Sequence, residues 1–506
     1  MRCTAVLLFL ACGQYASAGY NVVQSAYSNS TIRVKSWSAD DKSLCDGGSR
    51  HHTGWVDVVN KHTFFWFHEA RAGIENAPLL LWVQGGPGGS ALAGMFLEHG
   101  PCLMDTNDST AFNPHAWTEA FNVVYVDQPV GVGLSYVDGN DEAFYPNRTE
   151  ESTLHLLSFL NLFYEAFPKL QLQDLHISGE SYAGRFIPLF GAEILKFNEW
   201  VPDDGHRIPL RSLMIGNGWT SPKDVLPAWY DVACYDYRGY PPHLDESVCE
   251  YLLPLVDKCR TALKTCAATR DTDMCVSTNS ICKDQFADVV ENNTTRSAFD
   301  RRLRNCNDGE TCFGKMPPLI NYLNSPKVHK SLELQTQTGG LKSSWSLLDV
   351  PTANRYMAAG DYHFPSVLEL ENILNYRPSS TERPVDVLYY VGVADIVCSP
   401  LGVQQTLEGL QWPGSVEFHA VPWADLPYKT AANGPGGRVK SAKSLTLMEL
   451  EEAGHLVPLD QPVMALQMVK DWLRYLETGV PLTRSESSSH SSEAAASRSK
   501  FVVQEL

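Results

Sequence analysis

The sequence predicts an α/β fold with a largely parallel central sheet that is interrupted by a disulfide-rich insertion. Short apolar runs that stop at Gly and Pro alternate with segments of helical periodicity over the first 217 residues. Such runs are typical of buried strands. The alternation stops at about Asn217 and returns at Asp386, and eight of the 13 cysteines lie between Cys234 and Cys312. That density indicates a segment held together by disulfides.

The elements are predicted from periodicity and from turn residues. Two strand-like stretches flank Asn60 and Lys61, which predicts a hairpin. Further strands are predicted at residues 79–84, 122–127, 175–178, 213–216, 386–391, 416–421 and 445–449. Apolar residues at helical spacing predict helices at residues 156–167, 182–197 and 466–476. Residues 19–50 are polar and show no sustained period, so no element is predicted there.

Composition and pattern divide the chain into five segments. Residues 1–18 have a basic start, an apolar run and a small-residue end, which predicts a secretory signal peptide. Residues 19–217 and 386–483 are predicted to be the two parts of one α/β domain. Residues 218–385 are the predicted insertion. Residues 484–506, rich in Ser, Glu and Ala, are predicted to be a flexible tail.

Charge and composition exclude several classes of protein. The 40 basic and 58 acidic residues give a net charge of −18, which disfavours nucleic acid and anionic membranes as partners. An apolar content of 44% disfavours a disordered or fibrous chain. No stretch after the predicted signal reaches about 18 apolar residues, so no membrane anchor is expected. The oligomeric state is left open. The glycosylation acceptor triplets begin at Asn29, Asn107, Asn147, Asn292 and Asn293.

The cysteine count predicts one free thiol. Removal of Cys3 and Cys12 with the signal leaves an odd number, eleven, in the mature chain. No paired C-x-x-C ligands occur, so a disulfide framework is preferred over a metal site. Localisation in the secretory pathway is expected, with the protein secreted or vacuolar/lysosomal.

The sharpest local motif is Gly179-Glu180-Ser181-Tyr182-Ala183-Gly184. It lies between a predicted strand and a predicted helix, where an α/β-hydrolase carries its nucleophile on a tight turn. The usual G-x-S-x-G pattern is imperfect here, because Ala183 stands at the last position. A bare G-x-S is most often only a turn, and the strand–turn–helix context is what favours a nucleophile at Ser181.

A serine nucleophile needs a base that is oriented by an acid. In this fold the chain order is Ser, then Asp or Glu, then His. Asp395 and His455 each follow a predicted strand, at the edge of the sheet where α/β proteins carry their chemistry. Either residue alone is explained as an ordinary loop residue. The three residues in this order and context predict a triad.

A second glycine-rich turn, G-G-P-G-G, follows Gln84. Glycines let backbone N–H groups approach a ligand, and at this place in a hydrolase such donors form an oxyanion hole. The turn is not a dinucleotide-binding fingerprint, because its spacing differs from G-x-G-x-x-G. No cofactor and no metal are expected.

Together these motifs resemble the serine carboxypeptidase family over nearly the whole mature chain. The matching blocks are L-L-L-W-V-Q-G-G-P-G-G-S, L-E-H-G-P, F-N-P-H-A-W, V-D-Q-P-V-G-V-G-L-S-Y, G-E-S-Y-A-G, I-G-N-G-W, A-D-I-V-C and G-H-L-V-P. The resemblance implies an α/β-hydrolase fold and release of C-terminal residues from peptides through an acyl-enzyme, favoured at acidic pH.

The resemblance also implies a role for each matching residue. Ser181 would be the nucleophile, His455 the general base and acid, and Asp395 its orienting partner. Gly86 and Tyr182 would supply the oxyanion N–H groups. Gln84, Gly85, Glu98 and Glu180 would hold the terminal carboxylate of the substrate, with Glu98 and Glu180 sharing one proton. An isolated Glu would be read as a surface or capping residue.

The sequence departs from the family at two places beside the predicted site. Gln84 replaces the usual Asn, and Gly89-Ser90-Ala91 replaces the usual Cys-Ser-Ser. These departures keep two alternatives open: an acyltransferase of the plant type that uses the same triad, and a catalytically inactive peptide-binding homologue. The presence of all three triad residues weighs against the second.

The family's cysteine spacing implies four pairs in the insertion. They are Cys234–Cys249, Cys259–Cys282, Cys266–Cys275 and Cys306–Cys312. Elimination then pairs Cys45 with Cys102. The remaining Cys398 stands three residues after Asp395, where the family can carry an unpaired thiol, and it is expected to be free.

Overall fold

A computed structural model gives the structure of residues 15–17, 19–105, 109–201, 206–292, 296–304, 313, 315–377 and 383–483. The strands are β1 Tyr15–Ser17, β2 Tyr20–Gln24, β3 Thr31–Trp37, β4 His51–Val58, β5 Lys61–His68, β6 Leu79–Val83, β7 Cys102–Met104, β8 Thr110–Phe112, β9 Asn122–Val126, β10 Tyr136–Val137, β11 Leu175–Ser181, β12 Leu210–Gly218, β13 Asp386–Gly392, β14 Ala424–Asp425, β15 Gly437–Ala442 and β16 Leu445–Leu450.

The α-helices are α1 Thr149–Ala166, α2 Ala183–Trp200, α3 Pro222–Cys234, α4 Glu246–Thr269, α5 Thr272–Thr278, α6 Asp288–Asn292, α7 Met316–Leu323, α8 Pro326–Ser331, α9 Leu334–Gln337, α10 Val350–Ala358, α11 Val367–Asn375, α12 Pro400–Glu408, α13 Ser415–Ala420, α14 Val457–Asp460 and α15 Pro462–Thr478. Short 3-10 and π-helical turns join several of them.

One large mixed sheet organises the molecule. Its strand order is β1-β2-β3-β4-β5-β9-β6-β11-β12-β13-β16-β15-β14, with β10 also paired to β5. The six central strands from β9 to β16 are parallel to their neighbours, and the strands on both sides of them are antiparallel. The parallel centre brings the carboxyl ends of β6, β11, β13 and β16 to one edge, where the predicted site residues lie.

The central strands are buried on both faces, which explains their continuous apolar runs. In β6, Leu79, Leu81 and Val83 pack into one core with residues of α1, α2 and α11. The intervening Leu80 and Trp82 pack into a second core with residues of α15 on the opposite face. Successive side chains of a strand point to opposite faces, so both sets must be apolar when helices cover both sides.

The predicted insertion lies between β12 and β13, and the described part of it contains helices α3 to α11. Disulfides Cys234–Cys249, Cys259–Cys282 and Cys266–Cys275 join α3, α4, α5 and the π-helical turn that follows α5. A fourth disulfide, Cys45–Cys102, links the segment before β4 to β7. The predicted pair of Cys306 and Cys312 lies outside the described residues.

One predicted strand is wrong. Residues 416–421 alternate apolar and polar residues, but Ser415–Ala420 form helix α13. The side chain of Phe418 is buried, whereas Val416 is 80% exposed, so these two apolar side chains do not share a buried face as they would in a half-buried strand. The strand that pairs with β16 at this side of the sheet is β15, in antiparallel register.

Two strands were missed within residues 19–50: β2 has no alternation of apolar and polar residues, and the alternation in β3 is limited to Ile32 and Val34. In β3, Ile32 and Val34 point into the core, while Thr31, Arg33 and Lys35 point to a partly exposed face. The pairing of β3 with β2 and β4 supplies the rest of its stabilisation. The long polar side chains of β3 therefore make it harder to recognise in the sequence than the apolar central strands.

The ends of the chain are only partly described. Tyr15–Ser17 pair with β2, and residues 1–14 and 18 lie outside the described residues, so the signal peptide stays a prediction. The predicted tail, residues 484–506, also lies outside them. No helix in the described ranges combines the length and the apolar character that crossing a membrane requires. Asn29, Asn147 and Asn292 are exposed, while Asn107 and Asn293 fall in undescribed gaps.

Candidate active site

Ser181 stands at the turn between β11 and α2. Its φ of 61° is in the left-handed region, which is unfavourable for a residue with a Cβ and persists only when the surroundings enforce it. The turn is crowded: a Cβ at Gly179 would lie 2.2 Å from the Val83 carbonyl oxygen and 2.8 Å from the Ala183 Cβ. Ala183 is therefore compatible with the turn because position 179 is glycine, and the imperfect motif still makes the expected turn.

Asp395 and His455 meet beyond the ends of β13 and β16. His455 Nδ1 and Asp395 Oδ2 are 2.7 Å apart, and both side chains are almost fully buried. The Asp395 carboxylate also accepts hydrogen bonds from the backbone N–H groups of Val397 at 2.9 Å and Cys398 at 3.0 Å. These bonds fix the carboxylate and, through it, the orientation of the imidazole.

Asn217 completes this arrangement, and sequence reasoning gave it no role. Its side-chain amide donates to Asp395 Oδ2 at 2.7 Å, and its Oδ1 accepts from the backbone N–H of Gly392 at 3.1 Å. Asn217 lies within I-G-N-G-W, one of the blocks that carry the family resemblance. That block was the available signal, but the partner is 178 residues away along the chain.

Ser181 and His455 line the same cavity. The described hydrogen bonds include none between their side chains. A catalytic serine–histidine bond is often long before substrate binds, so this geometry is compatible with a nucleophile and its base.

A short stretch of the insertion, residues 298–302, holds the loops that carry Asp395 and His455. The carbonyl of Phe299 accepts from the backbone N–H of His455 at 2.8 Å. The carbonyl of Ala298 accepts from Ile396 N–H, and the N–H of Arg301 donates to the Ala394 carbonyl, both at 3.0 Å. We call this stretch the brace. It fixes both loops through backbone groups, so its effect depends little on its side chains.

The glycine-rich turn after β6 passes directly against the nucleophile turn. A Cβ at Gly85 would lie 2.6 Å from the Ser181 Cβ and 2.6 Å from the Tyr182 nitrogen. Only glycine allows this approach. Gly86 and Tyr182 both line the cavity beside Ser181, as the two predicted oxyanion donors must.

Glu98 and Glu180 form a buried pair of carboxyl groups, each 1% exposed. Burial raises the pKa of both, and the Glu98 charge raises the pKa of Glu180 further. No N–H or hydroxyl group among the described residues donates a hydrogen bond to either carboxyl oxygen of Glu98. Two ionised carboxylates that influence each other in a buried site repel, so the pair is favoured when one of them holds a proton, and that proton can form a hydrogen bond between them. Such a pair carries a proton at a pH where an exposed Glu has lost it.

Gln84 contacts this pair despite its departure from the family. Its amide nitrogen donates to Glu180 Oε1 at 2.5 Å, and its amide oxygen accepts from Trp82 Nε1 at 3.0 Å. Both polar atoms of the longer Gln84 side chain are thus hydrogen-bonded. Gln84, Gly85 and Glu180 line the cavity beside Ser181, whereas Glu98 is not among the lining residues.

The cavity has a volume of about 350 Å³ and is lined mostly by apolar side chains. The apolar and aromatic lining residues are Pro87, Ala93, Leu97, Tyr182, Trp219, Trp229, Phe299, Phe313, Met316, Leu347, Leu348, Ala353, Met357, Tyr362, Val397 and Leu456. Most of them come from the insertion. The space suits an elongated ligand that carries an apolar group.

Within the described residues, one group of potential metal ligands contains three or more members. Asp395, Cys398 and His455 each place a ligand atom within 4.8 Å of the others. The Asp395 carboxylate already accepts hydrogen bonds from four donors, including His455. We therefore interpret the group as a carboxylate that orients an imidazole.

Cys398 is the free cysteine of the described chain, and it is fully buried. Burial raises the pKa of its thiol well above the usual range, and the nearby Asp395 charge acts in the same direction. The thiolate is the form that reacts with alkylating agents. At neutral pH the group is therefore an unreactive thiol.

We expect native protein at pH 7 to be alkylated at Cys398 about 100-fold more slowly than protein unfolded in urea. Iodoacetamide labelling followed by peptide mapping measures this rate and separates Cys398 from Cys306 and Cys312. A Cys398→Ser variant is the control for peptide assignment. Rapid labelling of Cys398 in the native protein would contradict the buried, protonated state.

Comparison with known proteins identifies the family of this chain. A family model described as serine carboxypeptidase matches residues 45–475. Carboxypeptidase Y homolog A of Ajellomyces dermatitidis is 33% identical over 447 residues, 88% of this chain and 76% of the relative. The protein of the same name from Arthroderma gypseum is 34% identical over 451 residues, 88% of this chain and 78% of the relative.

A solved structure has the same fold. It is a prohormone-processing carboxypeptidase from Saccharomyces cerevisiae, which superposes with a TM-score of 0.70 at 22% identity, over 86% of this chain and 92% of its own. The predicted α/β-hydrolase fold with a mostly parallel sheet is confirmed. The chain therefore belongs to the serine carboxypeptidase family, as a serine-type carboxypeptidase.

Proposed function

We propose that Ser181, His455 and Asp395 are the catalytic triad and that the protein removes residues one at a time from the C-termini of peptides through an acyl-enzyme. The observation that carries this proposal is the Asp395–His455 hydrogen bond beside a serine held at positive φ in one cavity.

The reaction follows from these positions. His455 takes the proton of the Ser181 hydroxyl as the oxygen attacks the last peptide carbonyl. The N–H groups of Gly86 and Tyr182 stabilise the oxyanion, and the amino end of α2 adds a favourable dipole. His455 then gives its proton to the leaving amine. Water attacks the resulting ester by the same route in reverse, with His455 again as base.

The glutamate pair selects a free C-terminus. While it holds its proton, Glu180 together with Gln84 and Gly85 can donate hydrogen bonds to the terminal carboxylate of the substrate. When the proton is lost, two like charges face that carboxylate and repel it. Peptidase activity is therefore favoured at acidic pH, below the raised pKa of the pair.

The lining of the cavity supports apolar side chains next to the scissile bond. Trp219, Trp229 and Tyr362 supply large rigid surfaces, and Met357 can adjust its shape to different side chains. We expect peptides with aromatic or branched aliphatic residues at the end to be cleaved faster than those with acidic ones.

Release of a residue from an N-blocked dipeptide, compared with its C-terminal amide, tests both the activity and the role of the pair. As pH rises through the raised pKa, KM for the free acid should increase by about 10- to 100-fold, the worth of a hydrogen bond to a charged group. KM for the amide, which carries no negative charge, should change far less. Measurement of KM for both substrates from acidic to alkaline pH gives the comparison.

Glu98→Gln is the matched variant for this test. Its amide removes the like charge and cannot lose a proton in this range, so the rise of KM with pH should become shallower. Equal pH dependence for acid and amide in the parent protein would contradict the carboxylate-binding role. Transfer of the acyl group to an alcohol without hydrolysis would instead favour the acyltransferase alternative.

We also propose that the protein works in the secretory pathway, secreted or vacuolar/lysosomal. The four disulfides support an oxidising compartment during folding. The exposed acceptor sites Asn29, Asn147 and Asn292 are compatible with glycosylation there.

A further inference from the structure

A buried carboxylate of the insertion contacts the residue that follows the nucleophile. Asp361 lies between α10 and α11 and is fully buried. Its Oδ2 accepts hydrogen bonds from the Tyr182 hydroxyl and from Thr149 Oγ1, both at 2.5 Å. Its Oδ1 accepts from the backbone N–H of Thr149 at 3.2 Å and from Arg185 at 3.3 Å. One carboxylate thus joins the start of α1, the start of α2 and the insertion.

The contact with Arg185 explains how this charge is tolerated in the core. The Arg185 side chain is fully buried and pairs with Asp361 and with Glu150. A buried carboxylate with a guanidinium and three further donors has its hydrogen-bonding capacity satisfied. Tyr182 and Arg185 both lie at the start of α2, so Asp361 fixes this turn at two points.

Aromatic contacts fix the Tyr182 ring in addition to the hydrogen bond of its hydroxyl. It stacks parallel to Tyr362 at 5.9 Å and meets Phe186 edge-on at 5.2 Å. Ser181, immediately before it, is the residue held at positive φ. The direction of the Tyr182 N–H therefore depends on where the side chain of Tyr182 is anchored. A displacement of less than 1 Å at such a donor matters, because oxyanion stabilisation depends on preorganised geometry.

We propose that Asp361 is a positioning residue for the oxyanion hole and acts through the hydroxyl of Tyr182. The inference rests on the proposed role of the Tyr182 N–H. Through this contact the insertion, which supplies most of the apolar lining of the cavity, also sets the geometry of a catalytic donor. Nothing in the local sequence around Asp361 indicates this, since its partner is 179 residues away.

Tyr182→Phe is the main test, because it keeps the ring and its packing and removes only the hydroxyl. We expect kcat to fall by about 10- to 100-fold, while KM changes by less than about twofold. Affinity for a substrate-like peptide aldehyde, whose adduct places a charged oxygen in the hole, should fall by a similar factor. Affinity for the peptide product, which has no such oxygen, should not change.

Tyr356→Phe is the matched control. Tyr356 is a buried tyrosine of the same layer whose hydroxyl bonds Ser152 and the Arg148 carbonyl, and it makes no hydrogen bond to Tyr182. Its loss should lower the melting temperature without changing kcat. A double variant, Tyr182→Phe with Asp361→Asn, should have a kcat no lower than that of the slower single variant, because both changes act on the same hydrogen bond between Tyr182 and Asp361.

Two outcomes would overturn the proposal. One is a Tyr182→Phe variant that melts earlier but keeps the parent kcat and aldehyde affinity, which would make the contact structural only. The other is additive losses in the double variant. Labelling of Ser181 by a fluorophosphonate separates these results from failure of the triad: labelling with an unchanged kcat refutes positioning alone, while an unlabelled parent protein refutes the proposed function.

Discussion

Replacing Ser181 with Ala should lower kcat/KM for an N-blocked dipeptide by about a million-fold, the scale seen when a serine nucleophile is removed. The acyl-enzyme cannot form without the hydroxyl, and the oxyanion donors and substrate binding alone leave a small residual rate. The variant should still fold, because loss of one hydroxyl at a partly exposed turn creates no cavity in the core. Release of the terminal amino acid measures the rate.

Fluorophosphonate labelling provides a second readout of the same assignment. The parent protein should be labelled at Ser181, and Ser181→Ala should not be labelled. Ser158→Ala is a suitable control, because Ser158 is on α1 and bonds only the carbonyl of Leu154 in its own helix. Parent-like activity in Ser181→Ala, or labelling at another serine, would refute the assignment.

Replacing Asp395 with Asn should lower kcat by about 10,000-fold. The four hydrogen-bond donors around Asp395 suit a carboxylate, which only accepts. The amide nitrogen of Asn is itself a donor, so it would either face another donor or force His455 into the wrong tautomer. KM should change little, because Asp395 does not line the cavity. Steady-state kinetics on the folded variant, checked by circular dichroism, gives the values.

Asp386→Asn is the control for this change. Asp386 is at the opposite end of β13, where it is buried and paired with Arg211. Its replacement should destabilise the fold but leave kcat of the folded protein close to that of the parent. A kcat within about tenfold of the parent in Asp395→Asn would show that His455 does not depend on this carboxylate.

The sequence predicts the catalytic centre because its signals are local. Ser181 ends a strand, and Asp395 and His455 each follow one. The apolar run of each strand is visible in the sequence, and parallel strands bring such ends together. The same reasoning located the glycine-rich turn. The proposed carboxylate-binding residues depended on the family resemblance, since Glu98 lies in a π-helical turn, Gly94–Glu98, that has no distinctive pattern.

The supporting contacts could not be predicted in this way. Asn217, Asp361 and the brace act on residues far away in the chain, and their own surroundings are irregular or ordinary. Residues 416–421 show the opposite failure, because their local alternation suggested a strand that the sheet does not accept. Short patterns decide an element only where burial on the matching face supports them.

The brace limits how the enzyme can be redesigned. A chimaera could exchange residues 218–385 for those of a relative in order to change substrate preference. The exchange would also replace the brace, whose backbone is hydrogen-bonded to the loops of Asp395 and His455. The new cavity lining would then come with a different backbone segment in place of the brace, and the positions of Asp395 and His455 would change with it. A selective graft should instead retain residues 296–304 and alter the helices on either side, so that preference and turnover can evolve separately.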